Sequence, residues 1–311
     1  MTTFAKPART FEQQAELMLQ RGLVGDREVI RERLEYVNYY RLLGYSFPFR
    51  LRGAPNDQFV PGTSFETIWD DYVFDQKLRV LLLEAIERIE VAVKTRIAYE
   101  HAHAFAPAAY ATVPSSLPNL TDGDEKQPRS HASFLKKVKR NLSEGDHQFL
   151  RAYRNKYTPN DWPPIWMTCE VLSFGTVVIM FQGCHDRNRE RIAAGFNVTS
   201  GVLQSWLLMI QNVRNICAHH GRLWNRALGK IPGTPKRATH PDWFEPVPLL
   251  TRDSSPKIFS ALTICGYLLD IVSKETGWRQ RVLALLAEHP GVSTTEMGFP
   301  NRWEQSPLWV R

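Results

Sequence analysis

Between Ser64 and about Ala106 the chain carries one long helical pattern, its strongest. Ser64 is placed as an N-cap, with Glu66 and Thr67 in the first turn, where side-chain oxygens can satisfy the unpaired amides of a helix start. From there Ile68, Tyr72, Leu78, Leu82, Ala85, Ile86, Ile89, Val93 and Ile97 recur at three- and four-residue spacing, the mark of one buried stripe. Glu84, Glu87, Arg88, Lys94 and Arg96 take the opposite face and read as solvated charges. A helix of this length organises other helices around it. The chain has no convincing β-alternation and no internal repeat, so the expectation is an all-α bundle.

The flanking sequence fits that expectation. Two short helical patterns between Thr10 and about Arg50 flank Gly22-Leu23-Val24-Gly25, and the aromatic residues Tyr36, Tyr39, Tyr40, Tyr45, Phe47 and Phe49 are read as core. Further helices are expected over about His131 to Tyr157, Ile165 to Gln182, Asp186 to Ala194, Ser200 to about Trp224, Lys257 to Lys274 and Trp278 to Ala287. Pro107 to Pro128 reads as an irregular, mobile surface loop, and Gly229 to Pro256 as a second Pro- and Gly-rich interruption. The ring-rich stretch from Met297 to Trp309 is expected to pack back on the bundle.

At 311 residues, with 43% hydrophobic and 23% charged residues, the chain can bury a full core as one large domain or two modest ones. Lys and Arg outnumber Asp and Glu by 39 to 32, a net charge of +7 that favours polyanionic partners. Cys169, Cys184, Cys217 and Cys265 lie far apart, forming neither a metal-binding pair nor a disulfide framework, and are read as reduced thiols. Met1 to Phe11 has no apolar signal core. The most apolar stretch, Ile165 to Phe181, is short for a membrane span and interrupted by Glu170. No membrane association and a cytoplasmic location are therefore expected.

Candidate chemistry concentrates in Gln211 to Arg226. On an ideal helix Val202, Leu203, Trp206, Met209, Ile210, Val213, Ile216 and Cys217 make an apolar face, while Gln211, Asn212, Asn215, His219, Arg222 and Arg226 share about a third of the circumference opposite. No Asp, Glu or Lys dilutes that polar stripe. Asn215 and His219 are neighbours at four-residue spacing, whereas Arg214 lies about 140° round from His219, toward the apolar side. An unpaired arginine is rarely buried, so Arg214 is expected at a helix or subunit interface, reaching to the same pocket. These groups suit RNA cleavage: His219 can take a proton from a ribose 2′-OH near neutral pH, Arg214 can meet the charge growing on phosphorus, and Asn215 can hold the imidazole or a phosphate oxygen. Neither metal nor other cofactor is required.

Arg214-Asn215-Ile216-Cys217-Ala218-His219 resembles the Arg-polar-(variable)-His pattern of the HEPN ribonuclease superfamily. Extended through His220, Arg222, Leu223, Trp224, Asn225 and Arg226, it resembles the Abi-family abortive-infection proteins of the bacterial AbiD/AbiF type. In the same order along the chain fall Tyr39-Tyr40-Arg41-Leu42-x-Gly44-Tyr45, Phe74-Asp75-x-x-Leu78-Arg79, Ile89-Glu90, Ser173-Phe174-Gly175 and Met297-Gly298-Phe299-Pro300-x-x-Trp303. The resemblance implies an all-α fold with a HEPN-like helical bundle and additional N-terminal and C-terminal helices. It also implies a toxin-like role in phage defence, cleavage to 2′,3′-cyclic phosphate ends, and a homodimer, since the chain has one motif where such enzymes pair two. Some relatives associate with a small structured non-coding RNA acting as guide or antitoxin. On this basis the chain divides into residues 1–62, an N-terminal helical region; 63–228, the HEPN-like core with its basic helices; and 229–311, a C-terminal helical region packing on the core.

Arg214, Asn215 and His219 are thus the candidate catalytic residues, and Asn212, His220, Arg222 and Arg226 candidate RNA contacts. Lys136, Lys137, Lys139 and Arg140, followed by Arg151, Arg154 and Lys156, form the densest basic run and are placed on an RNA-tracking surface, against the plainer alternative of a solvated face. Arg187, Arg189 and Arg191 are a weaker group of the same kind. Arg79 and Glu90 are equally explained by helix-packing ion pairs. His101 with His103, and His219-His220 with Cys217, are weighed as metal ligands and set aside on spacing and ligand number, helix capping being preferred for the first pair. Three functions remain open: a metal-independent endoribonuclease, a non-cleaving RNA-binding partner of a small RNA, and an interaction protein in which Arg214 and His219 complete a structural network at a dimer interface.

Overall fold

The computed structural model describes residues 7–157, 162–250 and 256–310, and over these the chain is all-α. The helices are α1 Phe11–Gln20, α2 Arg27–Tyr36, α3 Tyr39–Ser46, α4 Phe65–Ala104, α5 Ala109–Thr112, α6 His131–Ser143, α7 Gln148–Lys156, α8 Ile165–Val171, α9 Phe174–Gly183, α10 Asp186–Ala194, α11 Ser200–Ala218, α12 Ile258–Val272, α13 Trp278–Glu288 and α14 Pro307–Val310. Extended pairing among the described residues is confined to isolated bridges such as Val24 with Ser64. The chain divides into two compact units, one of Met1–Val80 with Arg281–Thr294, the other of Leu81–Gln280 with Thr295–Arg311.

In the first unit local caps set the helix starts. Thr10 and Gln13 form a reciprocal capping box on α1, Asp26 accepts the amides of Glu28 and Val29 on α2, and Asn38 accepts that of Tyr40 on α3. That last cap splits what the periodicity presents as one helix. The aromatic cluster does not form a core. Tyr45 is buried, but Tyr36, Tyr40 and Phe47 are exposed and Tyr39 and Phe49 only half-buried. The interior beneath them is filled by Met18, Ile30, Leu34 and Leu42 instead.

The α4 stripe is buried as its spacing requires, except that Tyr72 is half-buried. Its charged face is less wet than expected: Lys94 pairs with Glu90 at 2.9 Å, both side chains largely covered, while Glu84 and Arg88 pair half-buried at 3.0 Å. Arg79 binds Asp75, so Arg79 and Glu90 both make ion pairs within α4.

In the second unit α11 packs on α9, α10 and α12, and α12 is buried almost all round. Trp206 of α11 packs against Trp243, tilted, and Tyr267, edge to face, at ring separations of 5.1 and 5.5 Å, and its indole N–H donates to the Gly233 carbonyl. Fully burying rings of this size contributes roughly 2–3 kcal/mol each. Phe259, Phe299, Trp303 and Trp309 make a second aromatic cluster, so the ring-rich tail does fold back as its composition requires.

Three expected segments are drawn differently. The first part of Pro107 to Pro128 is no loose loop, because Tyr110 is buried with its hydroxyl against the Pro163 carbonyl and Thr168, and Leu117 and Leu120 are buried too, whereas residues 121–128 are exposed and irregular as expected. His131 to Tyr157 is broken at Gly145 into α6 and α7, and Ile165 to Gln182 at Ser173, which caps α9. Residues 251–255 of the Gly229 to Pro256 interruption, and 1–6 of the N-terminal stretch, lie outside the described residues. All four cysteines are free and buried; burial pushes the Cys169 and Cys184 thiols up to about 12 and raises Cys265 as well.

Candidate functional site

Helix α11 begins at Thr199, whose hydroxyl accepts the Val202 amide, and buries Leu203, Trp206, Leu207, Met209, Ile210, Val213, Ile216 and Cys217. It ends at Ala218, earlier than the periodicity suggests. The Gly221 amide donates to the Ile216 carbonyl at 2.7 Å and the His220 amide to Cys217 at 3.0 Å, the paired bonds of a Schellman turn. This places His219 as C-cap and His220 in the left-handed region at φ 54°, where glycine is usual. A side chain at Gly221 would be crowded: a Cβ there would lie 3.0 Å from the Ile216 side chain and 3.2 Å from its carbonyl.

The early stop revises the helical stripe. Asn215 and His219 are exposed neighbours, joined by the His219 amide donating to the Asn215 carbonyl at 3.0 Å. Arg222 and Arg226 leave the helix altogether. They return by chain reversal, anchored by buried Leu223 and Trp224, and the Arg226 guanidinium reaches the Arg222 carbonyl at 3.5 Å beside Gly221. Arg222 is half-buried, and His220 and Arg226 are exposed. Asn212 is half-buried and donates to the Leu228 carbonyl at 2.7 Å, tying the returning chain to the helix.

Arg214 is half-buried, and among the described residues no ion pair or hydrogen bond engages its guanidinium; the same holds for the His219 imidazole. None of the Arg214 nitrogens is among the buried unpartnered atoms, so the guanidinium keeps its contact with water and can exchange that water for an anion. The Cys217 side chain is buried with the core face, whereas His219 and His220 are exposed.

On α6, Lys136, Lys139 and Arg140 are exposed and Lys137 half-buried. Lys136 pairs with Glu125 at 3.0 Å, Arg140 with Glu144 at 3.3 Å, and Arg151 of α7 with Asp146 at 3.0 Å, all surface pairs that exchange readily for other anions. The basic run is interleaved with rings that its composition did not reveal. The Lys139 ammonium sits 5.2 Å over Trp162 and that of Lys156 5.5 Å over Tyr157, beside an open cavity of about 520 Å³ lined in part by Tyr153, Tyr157, Trp162 and Trp166. Arg189, by contrast, is engaged by Asp186 and Gln204.

His101 is fully buried, its Nε2 3.3 Å from the Ser116 hydroxyl, and desolvation pushes it down to about 4. His103 sits in the last turn of α4 with Nδ1 2.8 Å from the Tyr99 carbonyl. Among the described residues no group of His, Cys, Asp or Glu side chains is arranged to hold a metal ion, and no helix is long and apolar enough to cross a membrane.

Searches of curated proteins and of solved structures find no match. The family model described as Abi-like protein matches residues 32–225, well over half of the chain, from within α2 to just past the turn that ends α11. The match takes in Tyr39 to Tyr45, all of α4 and the segment from Arg214 to Asn225. The chain therefore belongs to the Abi-like protein family, a grouping associated with abortive infection.

Proposed function

We propose that this chain is a metal-independent endoribonuclease of the HEPN type, acting in phage defence, with Arg214, Asn215 and His219 as its catalytic residues. The observation that carries this reading is the end of α11, where a half-buried arginine of the helix and the exposed imidazole of its C-cap, both unengaged among the described residues, lie just before the Schellman turn. In this mechanism His219 removes the 2′-OH proton, the 2′ oxygen bonds to phosphorus, and the P–O5′ bond breaks as the 5′ oxygen takes up a proton. Arg214 meets the charge of the phosphorane, and Asn215 orients the imidazole or a phosphate oxygen. Arg222 and Arg226, brought back by the reversal, and His220 in the turn contact flanking phosphates. One chain carries one such set, so the active form in this reading is a homodimer with a paired site in a HEPN-like bundle.

Purified wild-type and His219→Ala protein, incubated with total cellular RNA in EDTA, test this. New 2′,3′-cyclic phosphate ends in the wild type alone are expected; equal cutting by both proteins, or none, rejects His219 as the base. A second reading is favoured by the ring-interleaved basic surface of α6 and α7, which offers binding groups without catalytic ones. There the protein is a non-cleaving partner of a small structured RNA, and both variants would retain co-purifying RNA without cutting it.

A further inference from the structure

The first unit holds a pocket that the α11 chemistry does not use. It opens between the start of α1 and the start of α3, has a volume of about 620 Å³, and is lined by Arg9, Gln14, Arg21, Asn38, Tyr39 and Tyr40 among others. That volume is within the usual range for sites that enclose a small organic ligand.

Its charge is one-sided. Arg21 donates to the Tyr39 hydroxyl at 2.8 Å and shares Asp57 with Arg50, at 3.5 and 3.1 Å, so a single carboxylate faces two guanidinium groups, with exposed Arg9 beside them. The Nε atoms of Arg21 and Arg50 are buried without a hydrogen-bond partner. Burial raises the Tyr39 phenol above its usual pKa, and Arg21, Arg50 and Arg9 all pull against it, which puts all three within electrostatic reach of that ring.

Its rings are available. Tyr40 is 73% exposed although its backbone is pinned by the Asn38 cap. Tyr39 and Tyr40 meet edge to face at 86° with ring centroids 5.7 Å apart, so neither ring is stacked on the other and the exposed Tyr40 ring is open to a flat guest. A flat aromatic face next to excess arginine matches one repeating chemistry, a base carried on a phosphodiester. An acidic peptide would use the arginines and leave the rings idle.

We propose that this pocket is a binding subsite for single-stranded RNA, with a base stacked on Tyr40 and the adjoining phosphate held by Arg9 and Arg21. The inference rests on the reading of this protein as one that acts on RNA, and it adds a sequence-tolerant grip in a different unit from the reacting groups. Tyr39 is the positioning residue, fixed by Arg21.

The test is fluorescence anisotropy with the full chain and a labelled 2′-O-methyl oligoadenylate of about 12 nucleotides, which suits a single-strand groove and lacks the attacking hydroxyl. The single strand should bind more tightly than its duplex, whose bases are already stacked and paired. Tyr40→Ala should weaken binding roughly 5- to 150-fold and Tyr40→Trp should restore it, as loss and recovery of one stacked base require. Arg9→Gln should lower the slope of log affinity against log salt by about 0.7, the share of one phosphate contact. Wild-type binding that neither Tyr40→Ala nor Arg9→Gln alters overturns the subsite and leaves the RNA reading standing. Failure of the wild type to bind this strand, or any co-purifying RNA, takes both down. If Tyr40→Ala changes the sedimenting mass but not RNA affinity, the face belongs to a second copy of the chain and the proposal is wrong.

Discussion

Asp75 and Arg79 lie one turn apart on α4, and Arg214 and His219 lie within the last turns of α11, yet the chain treats the two sets oppositely. Asp75 is fully buried, accepts from the Tyr45 hydroxyl at 2.7 Å and binds Arg79, which also reaches that hydroxyl at 3.3 Å. Arg214 and His219 have no such partners among the described residues, and His219 stands in solvent. Both regions fall in stretches that resemble the same family. Low accessibility with every charge answered marks a group that holds the fold; a charge left unanswered at a surface marks one held for something outside it.

Five substitutions can break or sharpen that contrast. His219→Ala should cut RNA cleavage about 100- to 10,000-fold, the usual share of a general base, while shifting urea-denaturation stability by no more than about 0.5 kcal/mol. A marked loss of stability would instead make His219 part of a structural network. Arg79→Ala should do the reverse, destabilising the fold by about 3–5 kcal/mol because the buried Asp75 charge loses the Arg79 guanidinium. A variant that unfolds no sooner than wild type would refute that role.

Asp71 tests the buried side through pH. It is 2% exposed, and burial first, then the neighbouring Asp70 and Asp75, push its carboxyl from the usual 3.8 up to about 7. The folded chain therefore holds that proton where the unfolded chain has released it, so this contribution to stability falls as pH rises from about 4 to about 7. Asp71→Asn should remove the fall and raise stability above pH 7 by on the order of 2–4 kcal/mol. His101, depressed to about 4, works in the opposite sense: the unfolded chain takes up its proton first, so its contribution is lost as pH drops below about 6.5. The two slopes oppose one another over most of the same interval, and unchanged pH profiles in Asp71→Asn and His101→Gln would disprove both assignments. The smallest effect concerns His220→Gly. Relieving a left-handed histidine should stabilise the chain by about 1 kcal/mol, and no gain in thermal unfolding would show that its other contacts offset the backbone cost.

Much of the architecture was legible because burial imposes period. The stripe from Ile68 to Ile97 has to face a core, so its spacing located α4 within a residue or two, and α10 and α12 were found in the same way. What escaped notice depends on single residues that break a pattern without a propensity signal. A histidine at φ 54° ended α11, and an asparagine cap split α2 from α3. Tyr36, Tyr40 and Phe47 were placed inside on hydrophobicity alone, although aromatic composition says nothing of which face a ring takes. At the candidate site the neighbourhood of Asn215 and His219 followed from helical spacing. The return of Arg226 to the helix end depends on a chain reversal that no periodicity encodes.

The burial of Cys169, Cys184, Cys217 and Cys265 has a practical side. Thiol reagents attack the thiolate, and four shielded sulfurs, of which Cys169, Cys184 and Cys265 are also hard to ionise, leave the native chain nearly silent to maleimides. A cysteine installed at the exposed position of Tyr40 or Arg226 would then be the one fast-reacting sulfur on the molecule. Dyes placed there in turn would report separately on the pocket of the first unit and on the end of α11, with no native thiol to replace beforehand.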